Sequence, residues 1–302
     1  MIREIRKKSH RDQLKMADLA NSTKLTLFTL ASGRSGTSYL ADFFTKNVFQ
    51  CYSTHEPYLT CGNPTLFGKP VDWNTHQNES ALLPVLERKC RFIASRKAPV
   101  YFESSHAFLK TFNRHAGTLL NNAGFIHLVR HPALVAKSEL MREQLIRSLR
   151  LPFVDYISDS GKWVFRWALT GDEQIFRHFA GNILSRFQFY LLQWVEIEYR
   201  AMQLIKQNKW QNRVFFIEVN RQLKTESILK QLVKFFDLPH TLNFNMDLRR
   251  NKTPLIGPTR ITATDELEIQ WITENLPDAY KTMLNSEPYA KCLSLTSFRK
   301  NL

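Results

Sequence analysis

Apolar runs of strand type recur along the chain, and helical or irregular sequence separates each run from the next. The first run is KLTLFTLA at 24–31, which ends just before Gly33. The others occupy residues 49–55, 99–105, 124–130 and 212–219. Short runs rich in β-branched and aromatic residues are typical of buried strands. Strands that alternate with helices form parallel sheets, so the pattern predicts an α/β fold.

Apolar residues at helical spacing follow several of these strands. After the first strand, Tyr39, Leu40, Phe43, Phe44 and Val48 recur at the period of one helix face. A second amphipathic segment covers 185–208, and 221–238 is predicted to be one amphipathic helix that ends before Pro239. The aromatic-rich stretch 141–184 has no clear period, and we interpret it as an irregular insertion over the sheet. Because no linker interrupts the pattern, we expect a single domain over 1–302.

The loop between the first strand and the first helix has the composition of an anion site. SGRSGTS at 32–38 combines two glycines, Arg34 and several hydroxyl groups. At a helix N-terminus, backbone N–H groups and the helix dipole favour a bound anion. A nucleotide-binding Walker loop would carry lysine where Thr37 stands and glycine where Ala31 stands. We therefore do not expect an ATP–magnesium site, although an ordinary strand-to-helix turn would have a similar sequence.

A second motif, FIHLVRHPALVAKSEL at 125–140, is again a strand that leads into a helix. Arg130 ends the strand, where an enzyme that binds magnesium nucleotides would have an acidic residue. The helix is expected to begin near Pro132, because proline is tolerated in a first turn. Arg130 and Ser138 are then expected to converge on a second phosphate.

In this order and on these elements, the two motifs resemble those of the sulfotransferases that use 3′-phosphoadenosine 5′-phosphosulfate (PAPS). The resemblance covers about residues 24–240 and includes a looser third match at 213–239. It implies a P-loop NTPase-like, three-layer fold with a central parallel sheet. With Arg34 in the loop, the chain is closer to carbohydrate, tyrosylprotein and bacterial members than to cytosolic small-molecule members, which usually carry lysine there.

The resemblance also implies the ligands. PAPS would be the donor, adenosine 3′,5′-bisphosphate the product, and no metal would be needed. Arg34 and the loop amides would stabilise the leaving oxygen, where negative charge develops. Tyr39 would either stack on adenine or be a core residue of the first helix. The predicted donor-binding residues are Gly33, Arg34, Ser35, Gly36, Thr37, Ser38, Tyr39, Arg130 and Ser138.

Sulfuryl transfer to a hydroxyl requires a general base near the loop. Glu56, which ends the second strand, is our first candidate, because the resemblance places a catalytic glutamate in a comparable position. His106, after the third strand, is the alternative, since cytosolic members use a histidine in that region. Glu103 is a candidate for orienting the substrate, and His55 for supporting Glu56 by a hydrogen bond. Each of these residues could also have only a structural role.

The charge of the chain indicates an anionic partner. Lysine and arginine number 42 against 27 aspartate and glutamate residues, which gives a net charge of +15. We expect the acceptor to be a glycan or glycolipid hydroxyl, held by an insertion at 141–195. A late basic loop at 249–262, including Arg260, is a further candidate for phosphate binding. Nucleic acid is not expected as a partner, whereas peripheral membrane contact and the oligomeric state are left open.

The N-terminal residues 1–23 form a basic extension without the apolar core of a secretory signal. No run of about 18 apolar residues occurs, and the four cysteines form no CxxC pair. We therefore expect a cytoplasmic enzyme, although a truncated luminal enzyme would have the same features. Two other functions remain as alternatives: a non-catalytic binder of an acidic polymer and a P-loop phosphotransferase.

Overall fold

The computed structural model describes residues 24–56, 62–120, 122–248, 259–300 and 302. Within them, five parallel strands form one sheet in the order β2-β3-β1-β4-β7. These strands are β1 (Leu25–Ala31), β2 (Cys51–His55), β3 (Val100–Ser104), β4 (Ala123–Val129) and β7 (Val214–Glu218). A separate antiparallel hairpin consists of β5 (Asp155–Ile157) and β6 (Trp163–Phe165). The predicted α/β class with a central parallel sheet is confirmed.

Helices cover both faces of the sheet. The longer helices are α1 (Thr37–Asn47), α3 (Glu79–Ala94), α6 (Pro132–Ser148), α8 (Arg186–Asn208), α10 (Glu226–Phe235) and α11 (Ala263–Asn275). The shorter helices are α2 (Lys69–Thr75), α4 (Phe108–Thr111), α5 (Ala116–Leu119), α7 (Gln174–His178), α9 (Val219–Gln222), α12 (Asp278–Leu284) and α13 (Thr296–Arg299). None of the helices in the described residues combines the length and apolar character that a membrane crossing needs.

The central strand β1 is buried on both faces, as the apolar sequence of a parallel strand requires. Leu27 and Ala31 pack in the cluster that contains α1, whereas Phe28 and Leu30 pack in the larger cluster that contains α8. Side chains alternate between the faces of a strand, so one short run contributes to both cores. This double burial fixes the strand end from which the glycine loop leaves.

Two predictions about secondary structure were wrong. The segment 221–238 is not one helix, because α9 ends at Gln222 and α10 begins only at Glu226. The break brings Leu223 against the glycine loop, where it is 4% exposed. The stretch 141–184 is also more regular than expected, since it holds the end of α6, the β5–β6 hairpin and α7.

The strand order creates a crevice at one edge of the sheet. The chain leaves β1 through α1 toward β2 on one side, and it leaves β4 toward β7 on the other side. Ligands of open α/β sheets bind outside the carboxyl ends of neighbouring strands whose connections diverge in this way. The predicted extension at 1–23 and most of the late basic loop, residues 249–258, lie outside the described residues.

Candidate active site

A cavity of about 510 Å³ lies where the chain leaves β1 and β4. The predicted residues that line it are Arg34, Gly36, Thr37, Ser38, Tyr39, Glu56, His106 and Arg130. Four other predicted residues do not line it: Gly33 and Ser35 flank Arg34 along the chain, Ser138 lies 3.0 Å from Arg34, and His55 lies 4.0 Å from Glu56. Residues that follow β1, β2, β3 and β4 therefore line the same cavity.

The glycine loop has the backbone of an anion cradle. Arg34 and Gly36 have φ values of 61° and 82°, in the left-handed region. Gly36 is the N-cap of α1, and no side chain within the described chain caps that helix. The first backbone N–H groups of a helix have no partner inside the helix. Tyr39 and Leu40 donate their N–H groups to the carbonyl of Gly36, so the amides that we expect to face a ligand in the cavity are those of Thr37 and Ser38.

The loop is packed tightly from behind. Ser35 is fully buried, and its Oγ lies 2.9 Å from Oγ of Ser32, so its hydroxyl braces the loop. A Cβ atom on Gly33 would lie 1.9 Å from Oε1 of Glu139. A Cβ atom on Gly36 would lie 2.3 Å from Cδ2 of Leu223. Both positions require glycine because neighbouring side chains already occupy the space.

The two sequence motifs contact each other directly. Nε of Arg34 donates a hydrogen bond of 3.0 Å to Oγ of Ser138 on α6. Nη1 of Arg130 donates one of 2.6 Å to the backbone carbonyl of Arg34. Burial lowers the pKa of both arginines, and the pKa of Arg34 is partly restored by the nearby carboxylate of Glu139. Arg130 and Ser138 therefore both contact Arg34, and their binding of a second phosphate stays a prediction.

Glu56 and His106 form the second half of the cavity. Glu56 has a positive φ of 41°, and its N–H donates a hydrogen bond of 3.2 Å to the carbonyl of Ser104. Its Oε1 lies 3.2 Å from Nε2 of His106 and 4.0 Å from Nε2 of His55. Nδ1 of His55 lies 2.9 Å from the carbonyl of Ser104, to which it can donate. The strained turn thus directs the Glu56 carboxylate toward both histidines.

His106 is held in its neutral form. The residue is 1% exposed. Burial holds the pKa of His106 well below its ordinary value, and the nearby cations Lys110 and Arg142 lower it further. Lys110 is itself fully buried, donates to the carbonyl of Trp167, and has its pKa lowered to about 7 by burial. The floor of the site is therefore a desolvated region in which added positive charge is unfavourable.

Glu103 does not reach the cavity. It lies on β3, is 2% exposed, and forms an ion pair with the buried Lys89. The hydroxyl of Tyr101 donates to the same carboxylate oxygen, and Asn63 accepts a hydrogen bond of 2.8 Å from Lys89. Glu103 therefore belongs to a buried ion pair and is not placed to orient a substrate in the cavity.

Tyr39 is a core residue of the first helix that also borders the cavity. It is 8% exposed and belongs to the apolar cluster around α1, yet it also lines the cavity. Its stacking on a base stays a prediction.

Several cavity residues were missed in the sequence. Arg142 lies one helical turn after Ser138 on α6, and the segment after β7 contributes Asn220, Arg221 and Lys224. A signal for the second group was present, because the carboxyl ends of parallel strands meet at one edge and β7 ends just before NRQLK. Arg142 could have been found from its helical spacing to Ser138. Within the described residues, no group of three or more His, Cys, Asp or Glu side chains is arranged to hold a metal ion.

Neither a protein-family model nor a curated protein matches the chain. Among solved structures, the chain is similar to a sulfotransferase from Alicyclobacillus acidocaldarius, with 13% identity and a TM-score of 0.47 over 88% of this chain and 98% of that one. It is also similar to the sulfotransferase domain from the curacin biosynthetic pathway, with 13% identity and a TM-score of 0.39 over 92% of this chain and 95% of that one.

Proposed function

We propose that this protein is a sulfotransferase that moves a sulfuryl group from PAPS to a hydroxyl acceptor. One observation carries the proposal: Arg130 and Ser138 both contact Arg34 in the glycine loop, and the same cavity holds Glu56. Two cationic motifs at one cavity suit PAPS, because this donor carries a phosphosulfate and a separate 3′-phosphate. A carboxylate at the other side of the cavity suits the removal of a proton.

The donor half of the cavity fits the phosphosulfate end of PAPS. Gly36 leaves the first amides of α1 uncapped, and Arg34 adds a guanidinium to them. In an in-line displacement, negative charge develops on the oxygen that bridges phosphorus and sulfur. Donors that are already oriented before reaction stabilise that charge without reorganisation. Arg130 and Ser138 are the residues that we assign to the 3′-phosphate.

We assign the general base to Glu56. Its side chain is 16% exposed in the cavity, whereas that of His106 is 2% exposed. A pKa held well below the ordinary value makes His106 a poor proton acceptor at neutral pH. Nε2 of His106 lies 3.2 Å from the Glu56 carboxylate without forming a hydrogen bond among the described residues, so we assign His106 to packing beside that carboxylate.

The proposed reaction balances with these groups. The acceptor hydroxyl gives its proton to Glu56 while its oxygen bonds to sulfur. The bond between sulfur and the bridging oxygen breaks, and its electron pair leaves with adenosine 3′,5′-bisphosphate. We propose a glycan or glycolipid hydroxyl as acceptor, because Arg142 in the cavity lining packs over Phe165 and Trp167, two aromatic residues of the segment that is expected to hold the acceptor.

Two measurements test the proposal. Adenosine 3′,5′-bisphosphate should raise the melting temperature of the protein, ATP with magnesium should not, and an Arg34→Ala variant should lose the effect. Incubation with labelled PAPS and a panel of hydroxyl acceptors should then transfer the label to one acceptor class. Bisphosphate binding without transfer to any acceptor would favour the non-catalytic binder, and stabilisation by ATP with magnesium alone would favour a phosphotransferase.

A further inference from the structure

Arg142 extends the positive surface of the cavity beyond the donor motifs. Residues one helical turn apart lie on the same face of a helix, so Arg142 follows Ser138 along the cavity side of α6. The other cavity cations lie around the glycine loop: Arg34 and Arg130 touch each other there, and Arg221 and Lys224 flank Leu223, which packs on Gly36. Arg142 differs because its side chain stacks over Phe165 and Trp167, at 5.8 and 5.5 Å from the ring centroids.

The guanidinium of Arg142 is fixed in place. Its Nη2 donates a hydrogen bond of 2.6 Å to Oε2 of Glu139, and the carboxylate of Glu139 is wedged against Gly33. The side chain of Arg142 is 12% exposed. Burial opposes its charge, but Glu139 and Glu56 together hold the pKa of Arg142 above its ordinary value. The residue is therefore a permanently charged, immobilised group.

One N–H donor of the Arg142 guanidinium has no hydrogen-bond partner among the described residues. This donor is Nε, which is buried. Buried N–H groups without a partner are uncommon and costly, particularly on a charged group. The residue lines the cavity together with Glu56 and His106. A ligand group with negative charge that entered beside Glu56 would contact the exposed part of the Arg142 side chain, which lines the cavity.

We propose that Arg142 binds an anionic group, a carboxylate or sulfate, carried by the acceptor, so that the protein sulfates acidic glycans. This inference rests on the function proposed above. The anionic group binds Arg142 while the neighbouring hydroxyl faces Glu56. Arginine suits this role because its planar guanidinium offers several donors in a fixed geometry to carboxylate or sulfate oxygens.

The experiment compares two acceptors that differ only in charge: a disaccharide with a uronic acid and the same disaccharide with that carboxyl group reduced. We measure kcat/KM for each with wild-type protein, Arg142→Gln and Arg142→Lys. Arg200→Gln is the matched control, because Arg200 pairs with Glu196 at 2.8 Å, has an 11% exposed side chain, and does not line the cavity. The dissociation constant of adenosine 3′,5′-bisphosphate is measured for every variant.

Wild-type protein should prefer the acidic disaccharide. In Arg142→Gln the ratio of the two kcat/KM values should fall about 10- to 100-fold, as expected for the loss of a hydrogen bond to a charged group. Arg142→Lys should keep part of the preference, and Arg200→Gln should keep all of it. An equal loss for both acceptors, or weakened bisphosphate binding in Arg142→Gln, would overturn the assignment. If wild-type protein binds the bisphosphate and sulfates both disaccharides equally, this inference alone is refuted. If the protein neither binds the bisphosphate nor transfers the sulfuryl group, the proposed function is refuted as well.

Discussion

Replacement of Gly33 by alanine tests how the glycine loop and α6 are coupled. The new Cβ atom would lie 1.9 Å from Oε1 and 3.1 Å from Cδ of Glu139, and 3.5 Å from Cε1 of His106. Glu139 cannot simply rotate away, because it is 1% exposed and bonded to Arg142 at 2.6 Å. The alanine must therefore displace the Glu139 carboxylate and disturb the ion pair that fixes Arg142.

The cost follows from two opposing effects. Gly33 is not among the glycines with positive φ, and Gly→Ala at a compatible backbone position stabilises by about 0.4–1 kcal/mol. Overpacking a dense interior destabilises by about 1–3 kcal/mol, and disturbing a buried ion pair adds to that. We expect a net loss of about 2 kcal/mol in the free energy of unfolding for Gly33→Ala.

Urea unfolding of a double-mutant cycle measures this coupling. In a Glu139→Ala background the clashing atoms are gone, so Gly33→Ala should cost less than about 0.5 kcal/mol there. The coupling between the two positions should therefore be about 1.5 kcal/mol or more. An equal cost of Gly33→Ala in both backgrounds, or stabilisation of the wild-type chain by it, would contradict a clash between the new Cβ atom and Glu139.

Three further predictions concern individual side chains. Glu56→Gln should lower kcat by about 10²–10⁴-fold with unchanged bisphosphate binding, because the general base is lost; a larger kcat loss in His106→Asn would reverse the two assignments. Burial lowers the pKa of Lys110 from 10.5 to about 7, so the unfolded chain binds more protons between these values and wild-type stability rises with pH there. Lys110→Met should therefore gain most in urea unfolding below about pH 7 and lose this advantage toward pH 10, and a difference independent of pH would contradict the burial argument. Glu103→Gln should lower the free energy of unfolding by about 3–5 kcal/mol, because Lys89 is left buried without its carboxylate partner. The kcat of the folded protein should stay near that of wild type. A loss of kcat without a loss of stability would show that Glu103 acts in the reaction.

The local features of the site could be read from the sequence because they depend on neighbours along the chain. A buried strand, two glycines and an apolar-periodic helix indicate the loop at 32–38 from the sequence alone. The same holds for Arg130 and Ser138, whose positions follow from a strand end and a helix that begins at Pro132. Their meeting could be expected because the carboxyl ends of parallel strands share one edge of the sheet.

The remaining residues were decided by packing between distant segments. Glu56 and Glu103 both lie at strand ends, yet one turns into the cavity through a positive φ and the other pairs with Lys89 beneath the sheet. The break after α9 has the same origin, since Leu223 packs on Gly36 instead of continuing a helix.

The sequence by itself thus determined the parallel α/β fold and the strand-loop-helix motifs at 32–38 and 125–140, because strand burial, helix starts and glycine loops are local properties. Only the tertiary structure decided which charged side chains face the crevice. A carboxylate or guanidinium is directed by the groups that compensate its burial. Glu103 pairs with Lys89, which comes from α3. Arg142 has a local partner, Glu139, but both side chains are fixed by contacts from other segments: Glu139 against Gly33, and Arg142 over Phe165 and Trp167. For that reason Arg142 lines the cavity although it was not predicted to, and Glu103 does not line it although it was.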